Sequence, residues 1–280
     1  MGVINYLRKQ RFDSKLIKFA KFFHLHNFVR KIYYKVILLL NDKMKIALFG
    51  YNAQFYARKI DEISLVENFL VDEREGEIRV IQNILEELKT GDIAYDVGAS
   101  IGTHAIFMAL KVGSQGKVFA FEPEDRSFRE LEANIALNKL NNIIPLKVAL
   151  SDCQGEGVIR GGLGSFTLMN ESNFIPPVEK VEKVQIVSAD SFIQENNLPL
   201  PNVIKIDVEG YEYNVIKGLE RVFRNKDCRM VACEIHPTLV PKDVTVDNII
   251  NFIISCGFDK PRIYPRGLTL HTFFIKTNTR

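Results

Sequence analysis

Residues 93–103 read Ile93-Ala94-Tyr95-Asp96-Val97-Gly98-Ala99-Ser100-Ile101-Gly102-Thr103, an apolar run closed by an acid and followed by a glycine-punctuated turn. The pattern predicts a buried strand, a tight turn and the start of a helix. Glycine lets the backbone turn sharply and lets a ligand approach the bare main chain, while the helix N-terminus offers free N–H groups. Twenty residues after Gly102 a second apolar run ends at Phe121-Glu122-Pro123. An acid at that strand end is placed to accept both ribose hydroxyls of an adenosine-type cofactor. A dinucleotide fingerprint has the form G-x-G-x-x-G, with a pyrophosphate on the helix. Here the spacing is Asp96-x-Gly98-x-Ser100-x-Gly102, and a carboxylate beside the turn repels a pyrophosphate. It suits the ammonium and sulfonium of S-adenosylmethionine.

Outward from this stretch, short apolar runs alternate with helix-period segments. The runs are 93–97, 117–121, 143–150, 203–206, 229–233, 258–264 and 268–275, and the helical segments are 78–89, 103–112, 126–138, 211–223 and 246–256. Strands alternating with helices of this length predict an α/β fold with a mostly parallel seven-stranded sheet covered on both faces. Pro265-Arg266-Gly267 joins the last two runs as a hairpin, so the final strand is expected to be antiparallel. Residues 155–164 hold five glycines and run on to a Pro176-Pro177 pair. No helix follows directly, so this stretch reads as turns and short extended pieces, a rim over a pocket, and not as a phosphate cradle.

These motifs, taken in order, resemble the FkbM-type methyltransferases of the class I, Rossmann-like fold. The resemblance rests on Gly91-Asp92, Asp96-Val-Gly-Ala-Ser-Ile-Gly102, Ala120-Phe-Glu-Pro123 and Asn134-x-x-x-Asn138. It continues through Val148-Ala-Leu-Ser-Asp152, Ile204-Lys-Ile-Asp-Val-Glu-Gly-Tyr-Glu212 and Glu234-Ile-His236, and it covers residues 76–275. The family usually carries Asn where Ser100 stands. The resemblance implies S-adenosylmethionine-dependent methylation of an oxygen, most often a hydroxyl of a sugar, glycan, glycolipid or polyketide-type product. On this reading Asp96, Gly98, Ser100, Gly102 and Thr103 line the methionine and ribose side, Glu122 holds the ribose hydroxyls, and Asp152 reaches the adenine.

The ends of the fourth and fifth runs carry the candidate chemistry. Asp207 and Glu209 are two residues apart, as are Glu234 and His236, so each pair points to one side of an extended segment. Adjacent parallel strands would gather them at the carboxyl edge of the sheet, where open α/β folds bind ligands. Methyl transfer to an alcohol needs the acceptor oxygen in line with the sulfonium and a base for its proton. His236 is the expected base by its ordinary pKa, with Asp207 orienting the methionine end and Glu209 the acceptor hydroxyl. The same acids read alternatively as first-turn helix residues or as ligands for a hard cation. No metal is assigned. A nicotinamide-dependent oxidoreductase and a non-catalytic binding module on the same fold are the competing functions.

The chain has 280 residues, 46% hydrophobic and 25% charged, which excludes disordered and fibrous classes. Cys153, Cys228, Cys233 and Cys256 form no CxxC pair, so the thiols read as reduced and the protein as cytoplasmic. The longest apolar stretch, Ile32–Leu40, is nine residues and includes Lys35. That is about half of the ~20 a membrane span needs. The net charge of +3 hides an asymmetry: residues 1–45 hold eleven Lys/Arg against Asp13 and Asp42, hence +9, and the other 235 residues hold 26 against 32, hence −6. Phe12, Leu16, Phe19 and Phe23 form one stripe beside Arg11, Lys15, Lys18 and Lys21, predicting a basic amphipathic helix. Residues 1–75 are thus expected to be a largely helical extension and 76–280 the catalytic domain. Three uses of the head stay open: a cap or homodimer contact, peripheral docking on an anionic membrane, and nucleic acid, which the acidic body disfavours.

Overall fold

The computed structural model describes residues 42–58, 77–162, 165–169 and 181–277. A seven-stranded sheet forms the centre. Its parallel strands are β3 (Ile93–Val97), β4 (Lys117–Phe121), β5 (Ile143–Leu146), β10 (Val203–Ile206) and β11 (Met230–Ile235). Two further strands, β12 (Arg262–Arg266) and β13 (Thr269–Ile275), close one edge, and the order across the sheet is β12-β13-β11-β10-β3-β4-β5. β13 runs antiparallel to both of its neighbours, as the Pro265–Gly267 hairpin requires. This is the class I methyltransferase arrangement. The strand order reverses between β3 and β10, whose register pairs Val97 with Ile206, and such a reversal opens a crevice at the carboxyl ends.

Side-chain alternation builds a core on each face. Ala94, Val118, Ala120, Val203 and Ala232 face α1 (Glu77–Glu87), α2 (Thr103–Val112) and α3 (Asp125–Leu137). Their neighbours Tyr95, Phe119, Phe121, Ile204 and Val231 face α4 (Ala189–Glu195), α5 (Glu212–Gly218), α6 (Glu220–Arg224) and α7 (Val246–Ser255).

Four differences from the sequence expectation have physical causes. The run 143–150 is split: β5 stops at Leu146 and β6 (Ala149–Ser151) leaves the main sheet to pair with β9 (Val181–Ser188). Pro145 marks the change, since a residue without an N–H is confined to edge strands such as β5. The glycine-rich stretch is strand: β7 (Gly155–Gly162) pairs with β8 (Ser165–Met169) and with β9, in a four-stranded sheet ordered β6-β9-β7-β8. A backbone ladder on both sides supplies what the missing side chains cannot. Residues 211–223 form two helices, because α5 ends against β6: a Cβ on Gly218 would lie 1.9 Å from the Ser151 carbonyl oxygen. Helix α4, of seven residues, is too short for periodicity to reveal.

The described part of the N-terminal extension is a hairpin, not a helix, formed by β1 (Lys43–Leu48) and β2 (Tyr51–Tyr56). It belongs to the catalytic core. Met44, Ile46, Ala53 and Phe55 are buried with α2 and α3, and the rings of Phe55 and Phe107 are 6.4 Å apart. The Asn134-x-x-x-Asn138 motif docks it: the Asn134 side-chain oxygen accepts the Tyr56 N–H and the Asn138 oxygen accepts the Gln54 N–H, each at 2.8 Å. The boundary expected at 75/76 therefore does not separate this hairpin from the domain. The basic helix and the apolar run Ile32–Leu40 lie outside the described residues, as do 163–164 and 170–180 of the rim. Among the described residues no helix is long and apolar enough to cross a membrane.

Candidate active site

The turn after β3 is held open by backbone bonds: the N–H groups of Gly98 and Ala99 both donate to the Phe121 carbonyl at 3.0 Å. Gly98 has φ +80°, and a Cβ there would sit 1.8 Å from the Asp207 carbonyl oxygen. Only glycine fits where the β3 and β10 chains pass this closely. Above the crossing is a cavity of about 240 Å³. Gly98, Ser100, Thr103 and Glu122 line one side, with His104 beside them at the helix start. Asp207, Glu209, Tyr211, Glu234, Glu77 and Arg266 line the other.

The first side fits an adenosine-type methyl donor. Glu122 is buried, its two carboxylate oxygens accepting the Ser100 N–H at 2.8 Å and the Glu124 N–H at 2.9 Å. Each oxygen keeps a second acceptor position, which a vicinal diol can fill. Burial pushes the Glu122 carboxyl up to about 7, against the two amide bonds. Among the described residues the Ser100 hydroxyl, also on this wall, is buried without a hydrogen-bond partner. An orphaned hydroxyl beside a bare glycine backbone is the condition a bound ligand relieves.

Four residues expected at the cavity stand elsewhere. Asp96 is 0% exposed and lies beneath the wall, 3.3 Å from the ammonium of Lys205. Its charge therefore meets Lys205 and not the donor directly. Gly102 caps α2 and packs on Leu131, whose Cδ1 would be 2.6 Å from an added Cβ. The Asp152 carboxylate turns to α5, where it pairs with Lys217 and accepts from the Asn214 amide at 3.1 Å. Val148, Ala149 and Leu150 line the cavity in its place. His236 is buried behind Glu209, with Nε2 3.3 Å from the Glu209 carboxylate.

The second side is a graded set of acids and cations. His236 Nδ1 lies 2.7 Å from the fully buried Glu212, which stands in the first turn of α5. Burial pulls the imidazole down, but Glu212, with Asp207 and Glu209, holds it up to about 9. At neutral pH His236 is an imidazolium. Glu209, with a left-handed φ of 51°, faces the cavity, and burial with the neighbouring Asp207 charge pushes its carboxyl up to about 7. Burial raises Glu234 too, but His271 and the Thr269 hydroxyl outweigh it and hold Glu234 well below the carboxylate range. Arg266 pairs with Glu77 and stands 3.9 Å from Glu234. Two triads, Asp207/Glu209/His236 and Glu77/Glu234/His271, place one ligand-type atom from each residue within 4.8 Å. In each a protein cation already sits among the acids, His236 in the first and Arg266 in the second.

Lys205 and Glu212 are buried groups to which the sequence assigned no place in the site, as it assigned none to Glu77, Arg266 and His271. The first two stand in the Lys-Ile-Asp-Val-Glu-Gly-Tyr-Glu stretch. The signal was a lysine in the middle of a four-residue buried strand, where an unpaired lysine is almost never found.

Comparison with known proteins places the chain in a family. The family model described as the methyltransferase FkbM domain matches residues 96–260. The chain is 32% identical over 200 residues to the hexuronic acid methyltransferase AglP of Haloferax volcanii, covering 70% of this chain and 75% of that protein. It is 24% identical over 200 residues to the 31-O-demethyl-FK506 methyltransferase FkbM of Streptomyces tacrolimicus, covering 61% and 74%. Among solved structures, Aeropyrum pernix fibrillarin with bound S-adenosyl-L-methionine aligns at 12% identity and a TM-score of 0.44, over 84% of this chain and 94% of that one. The family match begins at Asp96 and includes Asp207, Glu209 and Glu234, while Glu77 and Arg266 lie outside it. This chain belongs to the FkbM methyltransferase family and uses S-adenosylmethionine as its methyl donor.

Proposed function

We propose that the enzyme methylates a hydroxyl of a saccharide, with Glu209 taking the hydroxyl proton. The observation that carries this is the placement of Glu209: it is on the cavity wall, while His236 is behind it, between Glu209 and Glu212, with its pKa held up by Glu212. A carboxyl with a pKa near 7 is matched to accepting a proton at neutral pH. S-adenosylmethionine supplies the methyl group as an electrophile on sulfur. The chain's own residues do the rest. Asp207, Glu234 and Glu77 offer acceptor oxygens to the several hydroxyls of a sugar ring, which fixes the reacting one in orientation. His236 keeps its proton between Glu209 and Glu212 and so holds the base in place.

The name of the archaeal relative, a hexuronic acid methyltransferase, supports a sugar acceptor. A membrane-docking or dimer-forming role for residues 1–41 is an extension of this proposal and rests on their charge and apolar stripe alone.

The first test is calorimetric. S-adenosylhomocysteine is expected to bind the full chain and NADH is not; binding of NADH alone would overturn the proposal in favour of hydride chemistry. Turnover is read as methyl incorporation from labelled donor into a panel of neutral and uronic acid glycosides. No incorporation despite donor binding would favour a binding module. Glu122→Ala is expected to weaken S-adenosylhomocysteine binding by about 1.5 kcal/mol, through the lost charge-assisted hydrogen bonds. Unchanged affinity would place the ribose elsewhere.

A further inference from the structure

The donor turn and the acceptor acids are joined underneath by one buried cation. Lys205 lies in β10, directly across from Asp96 in the β3–β10 register, so both side chains leave the same face of the sheet. The Lys205 side chain is 5% exposed. Its ammonium donates to the Gly98 carbonyl at 2.9 Å and stands 3.3 Å from Asp96 Oδ1 and 3.4 Å from Asp207 Oδ2. These oxygens belong to three separate pieces of backbone: the end of β3, the donor turn, and the segment leaving β10.

A lysine ammonium has three N–H donors and no acceptor. The Gly98 carbonyl takes one of them, and the Asp96 and Asp207 carboxylates hold the ammonium by charge. Lys205 reaches the cavity lining from beneath, anchored on the donor turn by its bond to Gly98. What it fixes is geometry: the Gly98 carbonyl sets the pitch of the donor turn, and Asp207 sets the wall facing it. The close passage of the two backbones at Gly98 and Asp207 is thus clamped from below by the same side chain.

We infer that Lys205 is a positioning residue for donor binding, and that its ties to Gly98 and Asp207, beyond its neutralisation of Asp96, shape the donor turn. The inference rests on the donor site being the Gly98–Thr103 turn. Burial opposes the charge on Lys205, and Asp96 with Asp207 outweighs it and raises the ammonium's pKa, so the clamp is charged throughout the working range.

A plain structural role is the competing explanation. Removing one member of a buried ion pair leaves the other uncompensated, whereas removing both is often tolerated. Lys205→Met alone is therefore a poor test, because Asp96 would be stranded. Lys205→Met combined with Asp96→Asn removes both charges, and Asp96→Asn alone keeps the clamp on Gly98 and Asp207. Each is compared with the wild-type chain by thermal melting and by calorimetric titration with S-adenosylhomocysteine. The double variant is expected to melt cooperatively near the wild-type Tm yet bind at least tenfold more weakly, while Asp96→Asn binds within threefold of wild type. Wild-type affinity in the double variant would overturn the inference, leaving Lys205 as a counter-ion for Asp96. Equal losses in Asp96→Asn and the double variant would overturn it too, by assigning the effect to Asp96. A double variant that does not melt cooperatively would also overturn the inference, in favour of the plain structural role. No binding by the wild-type chain would remove the donor-site reading itself, and the inference with it.

Discussion

Glu209→Gln is expected to bind S-adenosylhomocysteine within about threefold of wild type and to lose about 10²- to 10⁴-fold in kcat, the range that a positioned general base contributes. Glutamine keeps the shape and the hydrogen-bond acceptor but cannot take a proton. Because the substitution is isosteric and Glu209 lines the cavity among the acceptor-side acids, the loss belongs in kcat and not in donor affinity. The wild-type pH profile carries a second signature. Burial and Asp207 raise the Glu209 carboxyl to about 7, so its basic form accumulates as pH rises through that value. The rate should climb over the same interval, and the climb should vanish in the variant. If instead kcat survives in Glu209→Gln and the rising limb persists, the proton goes elsewhere, and His236 recovers the role that its ordinary pKa first suggested.

The proposed exchange of roles between His236 and Glu209 turns on geometry that the sequence does not carry. The fold was legible because it is written locally. Apolar runs closed by Asp96, Glu122 and Asp207 and helices at regular spacing imply the parallel sheet, and Pro265-Arg266-Gly267 implies its antiparallel edge. The glycine turn and the strand-end acid beside it were legible for the same reason, since Gly98 and Glu122 are close in sequence to the strands that place them. What could not be read is which side of a strand end faces the cavity once several segments converge. Asp96 is expected at the donor by its position in the turn, yet the residue across from it in β10 is Lys205, which captures its charge. Asp152 follows a strand that departs from the main sheet, so its side chain meets Lys217 and Asn214. Likewise the burial of His236 between Glu209 and Glu212 depends on β11 and the β10–α5 segment together. The hairpin of 43–56 was hidden for another reason: its docking partners Asn134 and Asn138 lie some eighty residues away, beyond any local pattern.

Glu212→Ala tests the inner end of this array through stability. Glu212 is fully buried at the start of α5, and its Oε1 lies 2.7 Å from His236 Nδ1 and accepts the Gly210 N–H at 2.8 Å. Deleting it strands a buried imidazolium and an amide together. Breaking a buried pair by removing one partner costs about 3–5 kcal/mol, and that loss is expected in urea unfolding at neutral pH. The sign of the pH dependence follows from His236. Its folded-state pKa is about 9 against an ordinary value of 6.5, so the stabilisation from its protonation is fully present below 6.5 and is lost as pH rises through 9. The difference between wild type and Glu212→Ala should therefore be largest near pH 6 to 7 and narrow towards pH 10, where the wild-type imidazole has also given up its proton. What remains at high pH measures the orphaned Gly210 amide and the cavity left by the side chain. A gap that stays constant across this range would show that His236 is neutral in the folded enzyme. One ring nitrogen would then be free to accept a proton, and the reason for Glu209, and not His236, to be the base would be lost.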